Sequence, residues 1–456
     1  MNTDIGVLEL NDAGLRLFVG GRQGKPSPGY ATISGDTLLL GNEALHQAHL
    51  HPLQTNNQFW HRLSAEPLPM HNTRYRHHAD LAYSHLIALY NEFAAELEQP
   101  CDRFVVALPG NFTREQIALL LGIVDQCPFN IVGLIDGAVA GSASIANVGS
   151  CLHVDAQLHQ CVFTTLSVSD SVKREQIEVL PNLGLLSLRG KFAKSIADQF
   201  VDQSRFDPLH SAESEQSIYD QLPTWMAQSI TQTDLILEVS GKTAKVSRSQ
   251  LIAPMRGYYQ QIAQQAVKLL NKQGQLLIGY QLASLPGLLD EINRVCNESL
   301  GIQATALSDA TLVNGIQQHL DIIVKDNGEL AFVQSLPVSA DVASADTAHG
   351  AGANPAATCK PTHVLVENMA YKIGQAPIFI NKNNTSQLVI SNQASKDTIA
   401  ILQAQGDEVA LLPQGKLTLL CNGRTINDNH AINGGDKISA TGIPGQLHFI
   451  EVRDGP

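Results

Sequence analysis

Seven histidines crowd between positions 46 and 78 (His46, His49, His51, His61, His71, His77 and His78), out of 16 in the whole chain. Imidazole nitrogens are good ligands for zinc, but a metal centre needs two to four of them converging on one point, with partners behind them. His46 and His49 fall on ALHQAHLHP, and His77 and His78 open a long helical pattern. These rings are therefore expected on polar helix surfaces, with no metal held. The 7 cysteines are scattered and form no C-x-x-C pair. Several lie in apolar runs, such as Cys161 in QCVFTTL, which predicts reduced, buried thiols of a cytoplasmic protein. Ser84 and His85 are adjacent, but no G-x-S-x-G turn presents a nucleophile. No catalytic residue is assigned on these grounds.

The formal net charge of −13 argues against a general binder of nucleic acid, which needs a basic face. The start, MNTDIGVLEL, lacks the basic and apolar regions of a signal peptide. No run approaches the ~18 apolar residues of a membrane span. A soluble, cytoplasmic protein with no membrane partner is expected.

The elements that would position any site come in two textures. IGVLEL, LRLFVG and YATIS read as a three-stranded meander. HADLAYSHLIALYNEFAAELEQ has apolar residues at helical spacing, RFVVALP and IVGLID read as buried strands, and AVAGSASIA reads as a helix of small residues. Thr113 and Gln116 form a capping-box signature. The pattern then recurs. CLHVDA, QCVFTTLSV and REQIEVL make a second meander, followed by FAKSIADQFVDQ, GYYQQIAQQAVKLLNKQ, QLLIGY and LPGLLDEINRVCNES. Two related α/β lobes are expected, residues 1–149 and 150–334, with an insertion at about 190–275 in the second. Residues 335–362 are rich in Ala, Gly, Ser and Pro and read as a flexible linker. Residues 363–456 alternate short apolar runs with turn signals and read as an all-β sandwich.

Five segments in order resemble the ATPase domain of the seventy-kilodalton heat-shock chaperones, over roughly residues 4–320. They are PGYATISGDTLLLGNEALHQAHLHPLQTNNQFWHRL, VALPGNFTREQIALLLGIVDQCPFNIVGLIDGAVAGSAS, IEVLPNLGLLSLRGKFAKSIADQF, LLIGYQLASLPGLLDEI and SDATLVNGIQQHL. The resemblance implies an actin-like fold with a cleft between its lobes. In that family ATP with Mg²⁺ is held by backbone N–H groups of two glycine-rich hairpins, one per lobe, because only bare backbone approaches phosphate closely enough. The matching positions here are Glu9-Leu10-Asn11-Asp12-Ala13 and Asp155-Ala156-Gln157-Leu158-His159-Gln160. The hairpin glycines and hydroxyls are gone, and Asp12 brings negative charge to where phosphates would lie. The family's catalytic lysine falls on His61, its connecting acid on Asp136, and its adenosine segment on Gly279 and Tyr280, where the tyrosine would occupy or lid the base pocket. Glu9, Asp136 and Asp155 persist as carboxylates and are expected to line a solvated cleft. Around a tetra-anionic ligand they repel unless a metal intervenes.

The β-rich segment resembles forkhead-associated domains through Ile373-Gly374-Gln375, LVISNQASKDTIAIL, LTLLCNGRTI and INGGDKI. Its turns at Asn422-Gly423 and Gly435-Asp436 match, whereas Gln375 and Thr398 replace the family's phosphate-reading Arg and His. Ser395, Lys396, Asn422 and Arg424 are the residues expected to meet a partner. The whole reads as a non-enzymatic scaffold or adaptor that binds protein, through an acidic or phosphorylated segment of the partner, with no cofactor expected. The alternative carried by the resemblance is a weak ATPase or nucleotide-gated switch using ATP or ADP with Mg²⁺. No room follows the ATPase-like part for that family's peptide-binding sandwich and lid, so an ordinary chaperone cycle is not expected.

Overall fold

Short apolar runs separated by glycine and asparagine turns pair into mixed sheets in the first part of the chain and into purely antiparallel ones in the second. A computed structural model describes residues 5–68, 74–325, 329–338 and 361–450, the last stretch without 367–368, 374–376, 383–387, 392, 406–407, 415–416, 422–423, 427–428, 433–435 and 442. The chain divides into two units, Met1–Ala348 and His349–Pro456.

The first lobe opens with β1 (Gly6–Glu9), β2 (Arg16–Val19) and β3 (Arg22–Gln23), an antiparallel meander. Gly20 and Gly21 take φ of +57° and +85°, a left-handed turn that only glycine enters freely. The third strand of the meander is thus β3, and YATIS does not supply it. Instead β4 (Ala31–Ser34) pairs with β5 (Thr37–Leu40) and, after α1 (Gly41–Leu45), with β6 (Thr55–Asn56), in a separate three-stranded sheet. Then come α2 (His78–Ala94), β7 (Arg103–Leu108), α3 (Arg114–Val124), β8 (Asn130–Asp136) and α4 (Gly137–Ser142). The capping box at α3 forms as its sequence dictates. Gln116 N–H donates to Thr113 Oγ1 at 3.2 Å, and Thr113 N–H to Gln116 Oε1 at 3.0 Å. β7 joins β1 in parallel and β8 joins β7 in parallel, with the helices as crossovers, giving the order β8-β7-β1-β2-β3.

The second lobe repeats this plan. β9 (Gly149–Ala156), β10 (Gln160–Val168) and β11 (Ser171–Pro181) form the meander. The insertion follows as α5 (Leu185–Ser204), α6 (Ala212–Thr231), the hairpin of β12 (Asp234–Val239) and β13 (Lys242–Ser247), α7 (Arg248–Ile252) and α8 (Arg256–Leu269). β14 (Gln275–Ile278), α9 (Tyr280–Ala283), α10 (Leu288–Leu300) and β15 (Ala304–Ala306) complete the order β15-β14-β9-β10-β11, again with the meander's first strand in the centre and parallel strands beside it.

After α11 (Thr311–Gln318) and α12 (Leu320–Ile323), the chain stitches the lobes together. β16 (Phe332–Val333) adds to β8 of the first sheet, and β17 (Ser335–Pro337) adds to β11 of the second. Residues 335–337 are therefore a strand with Leu336 fully buried, not the start of a linker. Most of the remaining linker, residues 339–360, lies outside the described residues. One apolar cluster spans both sheets, with Val7, Val105, Ile135, Leu166, Leu277 and Ile316 around α4 and α11.

The second unit is antiparallel throughout. β18 (His363–Val366), β19 (Met369–Lys372), β20 (Ile378–Lys382), β21 (Leu388–Ser391), β22 (Thr398–Gln405), β23 (Glu408–Pro413), β24 (Leu419–Cys421), β25 (Arg424–Ile426), β26 (His430–Ile432), β27 (Lys437–Ala440) and β28 (Ile443–Ile450) form two sheets, β19-β18-β28-β27-β24-β25 and β21-β20-β22-β23-β26. Ile380, Leu402 and Leu411 from one, and Val364, Leu447 and Phe449 from the other, share a single core. Among the described residues no helix is long and apolar enough to cross a membrane.

Gly315 of α11 shows how tightly the inter-lobe core is packed, since a Cβ there would collide with the Ala140 carbonyl oxygen of α4. Gly315→Ala is expected to lower stability by roughly 1–3 kcal/mol, the usual range for overpacking. Gly122→Ala, on the exposed face of α3 with nothing near its Cβ, is expected to raise it by about 0.5–1 kcal/mol. Urea denaturation of both variants checks the pair. Equal effects would mean that the α4–α11 crossing is not close-packed.

Candidate functional site

The two meanders aim their first hairpin tips at one another. Glu9 ends β1 and faces Arg16 across the β1–β2 ladder, so an arginine in an otherwise apolar strand comes to lie inside the cleft. Arg16 is 1 % exposed, and its Nε donates to Glu9 Oε2 at 2.8 Å. Its guanidinium carbon stands 4.2 Å from the Tyr280 ring centre and 5.1 Å from that of Phe18, a cation held between aromatic faces. Asp309 adds a longer ion pair at 3.8 Å. Burial pushes the Glu9 carboxyl up to about 7, against the pull of Arg16.

The tips themselves are hydrogen-bonded across the lobes. Asn11 Nδ2 donates to Asp155 Oδ2 at 3.1 Å and to the Ala156 carbonyl at 3.0 Å. Leu158 N–H donates to Asp12 Oδ1 at 2.8 Å, so the side chain of one hairpin occupies a backbone donor of the other. Asn111 and Gln157 add a reciprocal amide pair at 3.0 and 3.2 Å. Burial raises Asp12 to about 7 and Asp155 to about 6.

Glu9, Asp155, Gly279 and Tyr280 do line one cavity, as their positions in the sequence suggest. Gly279 is needed there, because a Cβ would meet Asp155 Oδ1 at 2.5 Å. The cavity holds only about 60 Å³. That is room for a few waters at ~10–15 Å³ each, against the ~300–1,000 Å³ of ordinary ligand pockets. The expectation of a solvated row of acids fails for two of the three. Glu9 is 5 % exposed and Asp136 is fully buried, while Asp155 keeps partial exposure. Asp136 leaves the group altogether, capping α4 by accepting from Ala138 and Val139 N–H and pairing with Arg174 at 2.7 Å. Burial outweighs these contacts and raises its pKa. His61 also stands apart, lining an outer cavity of about 320 Å³ with Asp12, Trp60, Asn111 and Gln157. Its ring lies 5.2 Å from that of His159, and burial followed by that neighbour lowers its pKa.

His46, His49 and His85 have partners within the fold. His46 and His49 do more than face water from a helix, since α6 of the second lobe reaches them. Nδ1 of His46 lies 2.7 Å from Asp220 Oδ1, and Nδ1 of His49 lies 3.0 Å from Glu215 Oε1, with the His49 ring stacked 3.8 Å from Tyr219. His85 pairs with Ser27, not Ser84, at 2.8 Å from Nε2 to Oγ. Trp60 Nε1–H donates to His85 Nδ1 at 3.0 Å, which leaves the ring proton on Nε2. That nitrogen donates to Ser27 and is no base for it. Among the described residues no cluster of three or more His, Cys, Asp or Glu could hold a metal.

In the second unit Ser395 and Lys396 are exposed, on the turn before β22. Ser395 Oγ accepts from Asp397 N–H at 3.1 Å, and Thr398 Oγ1 donates to Asn381 Oδ1 at 2.6 Å. Arg424 opens β25, while Asn422 lies outside the described residues, as do Gly374, Gln375, Gly423 and Gly435.

No family model matches the chain, and no curated protein matches it in sequence.

Sequence reasoning missed Arg16, Asn111 and Arg174. The signal for Arg16 was present: a lone cation inside LRLFVG implies a buried counter-charge. Arg16→Met, which leaves Glu9 closed in without its cation, is expected to cost about 3–5 kcal/mol. Adding Glu9→Gln should restore much of that loss. Chemical denaturation of the two single variants and the double variant measures the coupling, and additive losses would rule out a dependent pair.

Proposed function

We propose that this chain is a protein-binding scaffold or adaptor of the cytoplasm. Its first unit is an actin-like body related to the heat-shock-chaperone ATPase domain but without nucleotide chemistry, and its β unit is a forkhead-associated-like docking module. The repeated sheet order, with a meander's first strand central in each lobe, supports the first half of this reading. The two antiparallel sheets around one core support the second.

The observation that carries the loss of nucleotide chemistry is the direct contact of the hairpin tips. A triphosphate needs bare N–H groups and a cation free to meet it. Here Asp12 accepts the Leu158 N–H, Asn11 ties Asp155 down, and Arg16 is committed to Glu9. The protein supplies its own anion to the cradle. Partner binding then falls to the β unit, where Lys396 offers a cation on an exposed turn of an acidic chain.

Thermal-shift titration with Mg-ATP and Mg-ADP tests the first claim. A ligand at 100 times its Kd stabilises by about 2.7 kcal/mol, so no shift at millimolar nucleotide is the expected result. A saturable shift would establish a nucleotide-gated protein instead. For the docking claim, Lys396→Glu in the full chain is expected to weaken capture of an acidic or phosphorylated peptide partner by at least several-fold in a pull-down. Undiminished capture would remove this turn from the interface.

A further inference from the structure

A cavity of about 290 Å³ shares Tyr280 with the one around Glu9 but has a different lining. Its walls are mainly apolar, with Pro26, Leu185, Pro223, Met226, Ile230 and Leu285. Ile230 is 50 % exposed, a large aliphatic side chain left half in solvent. Both lobes contribute, because Ala13, Gly14 and Pro26 come from the first and the remainder from the second.

One charged group in this lining lacks what its chemistry requires. Arg189, on α5, is a half-buried guanidinium with no ion pair and no hydrogen bond among the described residues. The one ionisable group acting on it is the Tyr30 phenol. Burial raises that phenol above its usual 10.0, so it stays neutral and gives Arg189 no counter-charge. Gln281 is 8 % exposed, its Nε2 donates to Tyr280 Oη at 2.9 Å, and its Oε1 is sealed away from the cavity. Elsewhere the fold answers its inward cations, with Arg16 on Glu9 and Arg174 on Asp136. Burying a guanidinium without such a partner is costly.

We infer that this cavity binds a small monocarboxylate with an apolar body, the carboxylate meeting Arg189 and the hydrocarbon lying against Leu185, Met226 and Ile230. One cation matches one negative charge, and a guanidinium presents two parallel N–H bonds to a carboxylate. A phosphate dianion would bring more charge than the lining answers. The volume suits a ligand of about one ring, at the small end of ordinary pockets. Bound there, the ligand would bridge the lobes beside the hairpin contact. Its wall includes Tyr280 and the residues after it, the segment that the resemblance gives to a nucleotide's base, so this inference rests on the reading that no nucleotide binds, which the Mg-ATP titration tests separately.

Thermal shift and calorimetry on the full chain test this with phenylacetate, its neutral counterpart benzyl alcohol, and inorganic phosphate. Phenylacetate is expected to stabilise saturably, and the other two not to. Arg189→Gln should weaken phenylacetate at least tenfold while raising the melting temperature of the free protein, because it removes an unanswered charge. Ile230→Glu places a repelling charge at an exposed position and should weaken binding similarly without disturbing the core. A short peptide ending in phenylalanine separates a chain terminus from a free acid as the source of the carboxylate, and the cavity's size favours the free acid. The inference is overturned if phenylacetate does not saturate, if inorganic phosphate or benzyl alcohol binds as well, or if both variants bind phenylacetate unchanged.

Discussion

A carboxylate shut between two lobes must be answered by a cation or by hydrogen-bond donors, and the closure of the first unit depends on how Glu9 is answered. Arg16 reaches it from the neighbouring strand, so the pair is set by the register of one hairpin rather than by the approach of the lobes. The second lobe then covers the pair with Tyr280, whose ring faces the guanidinium. Once the cation is committed inside the first lobe, the interior presents little net charge. The apolar cluster around α4 and α11 can close beside it.

The hairpin tips follow the same logic. In a cradle built for an external anion, backbone N–H groups point into open space and wait. Here Asp12 accepts the Leu158 N–H and Asn11 donates to the opposite carboxylate, so the tips satisfy one another. Each bond alone adds little net stability, about 0.5–1.5 kcal/mol. Broken by an entering ligand, however, each would strand a buried donor or carboxylate, which costs more than the bond is worth. Satisfaction of the tips therefore acts as a barrier to opening. His46 with Asp220 and His49 with Glu215 add further polar contacts between the lobes.

Much of this architecture was legible in the residues. Period-two and period-3.6 patterns marked the buried strands and the long helices, and the capping box at Thr113 named its helix start. What escaped depended on long-range partners. YATIS looks like a third meander strand, but the glycine pair at 20–21 turns the chain early and sends it into another sheet. Asp136 reads as a cleft acid until α4 is seen to start on it and Arg174 to arrive from β11. His46 and His49 read as solvated because their carboxylates sit in the insertion, more than 160 positions away along the chain. Local chemistry predicts local structure, and none of these partners is local.

Arg16 and Arg189 make the last comparison, since both are cations placed inward on the two sides of Tyr280's pair of cavities. Arg16 has a carboxylate, a second acid and two aromatic faces. Arg189 has a neutral phenol. It sits, moreover, five residues into α5, whose first turn carries no acidic side chain to offset the positive end of the helix dipole. Charge and dipole therefore reinforce one another where the wall is otherwise hydrocarbon. A protein that answers its other inward arginines from within has left this field unopposed next to an empty volume. The arrangement becomes electrostatically balanced when an anion from outside enters that volume.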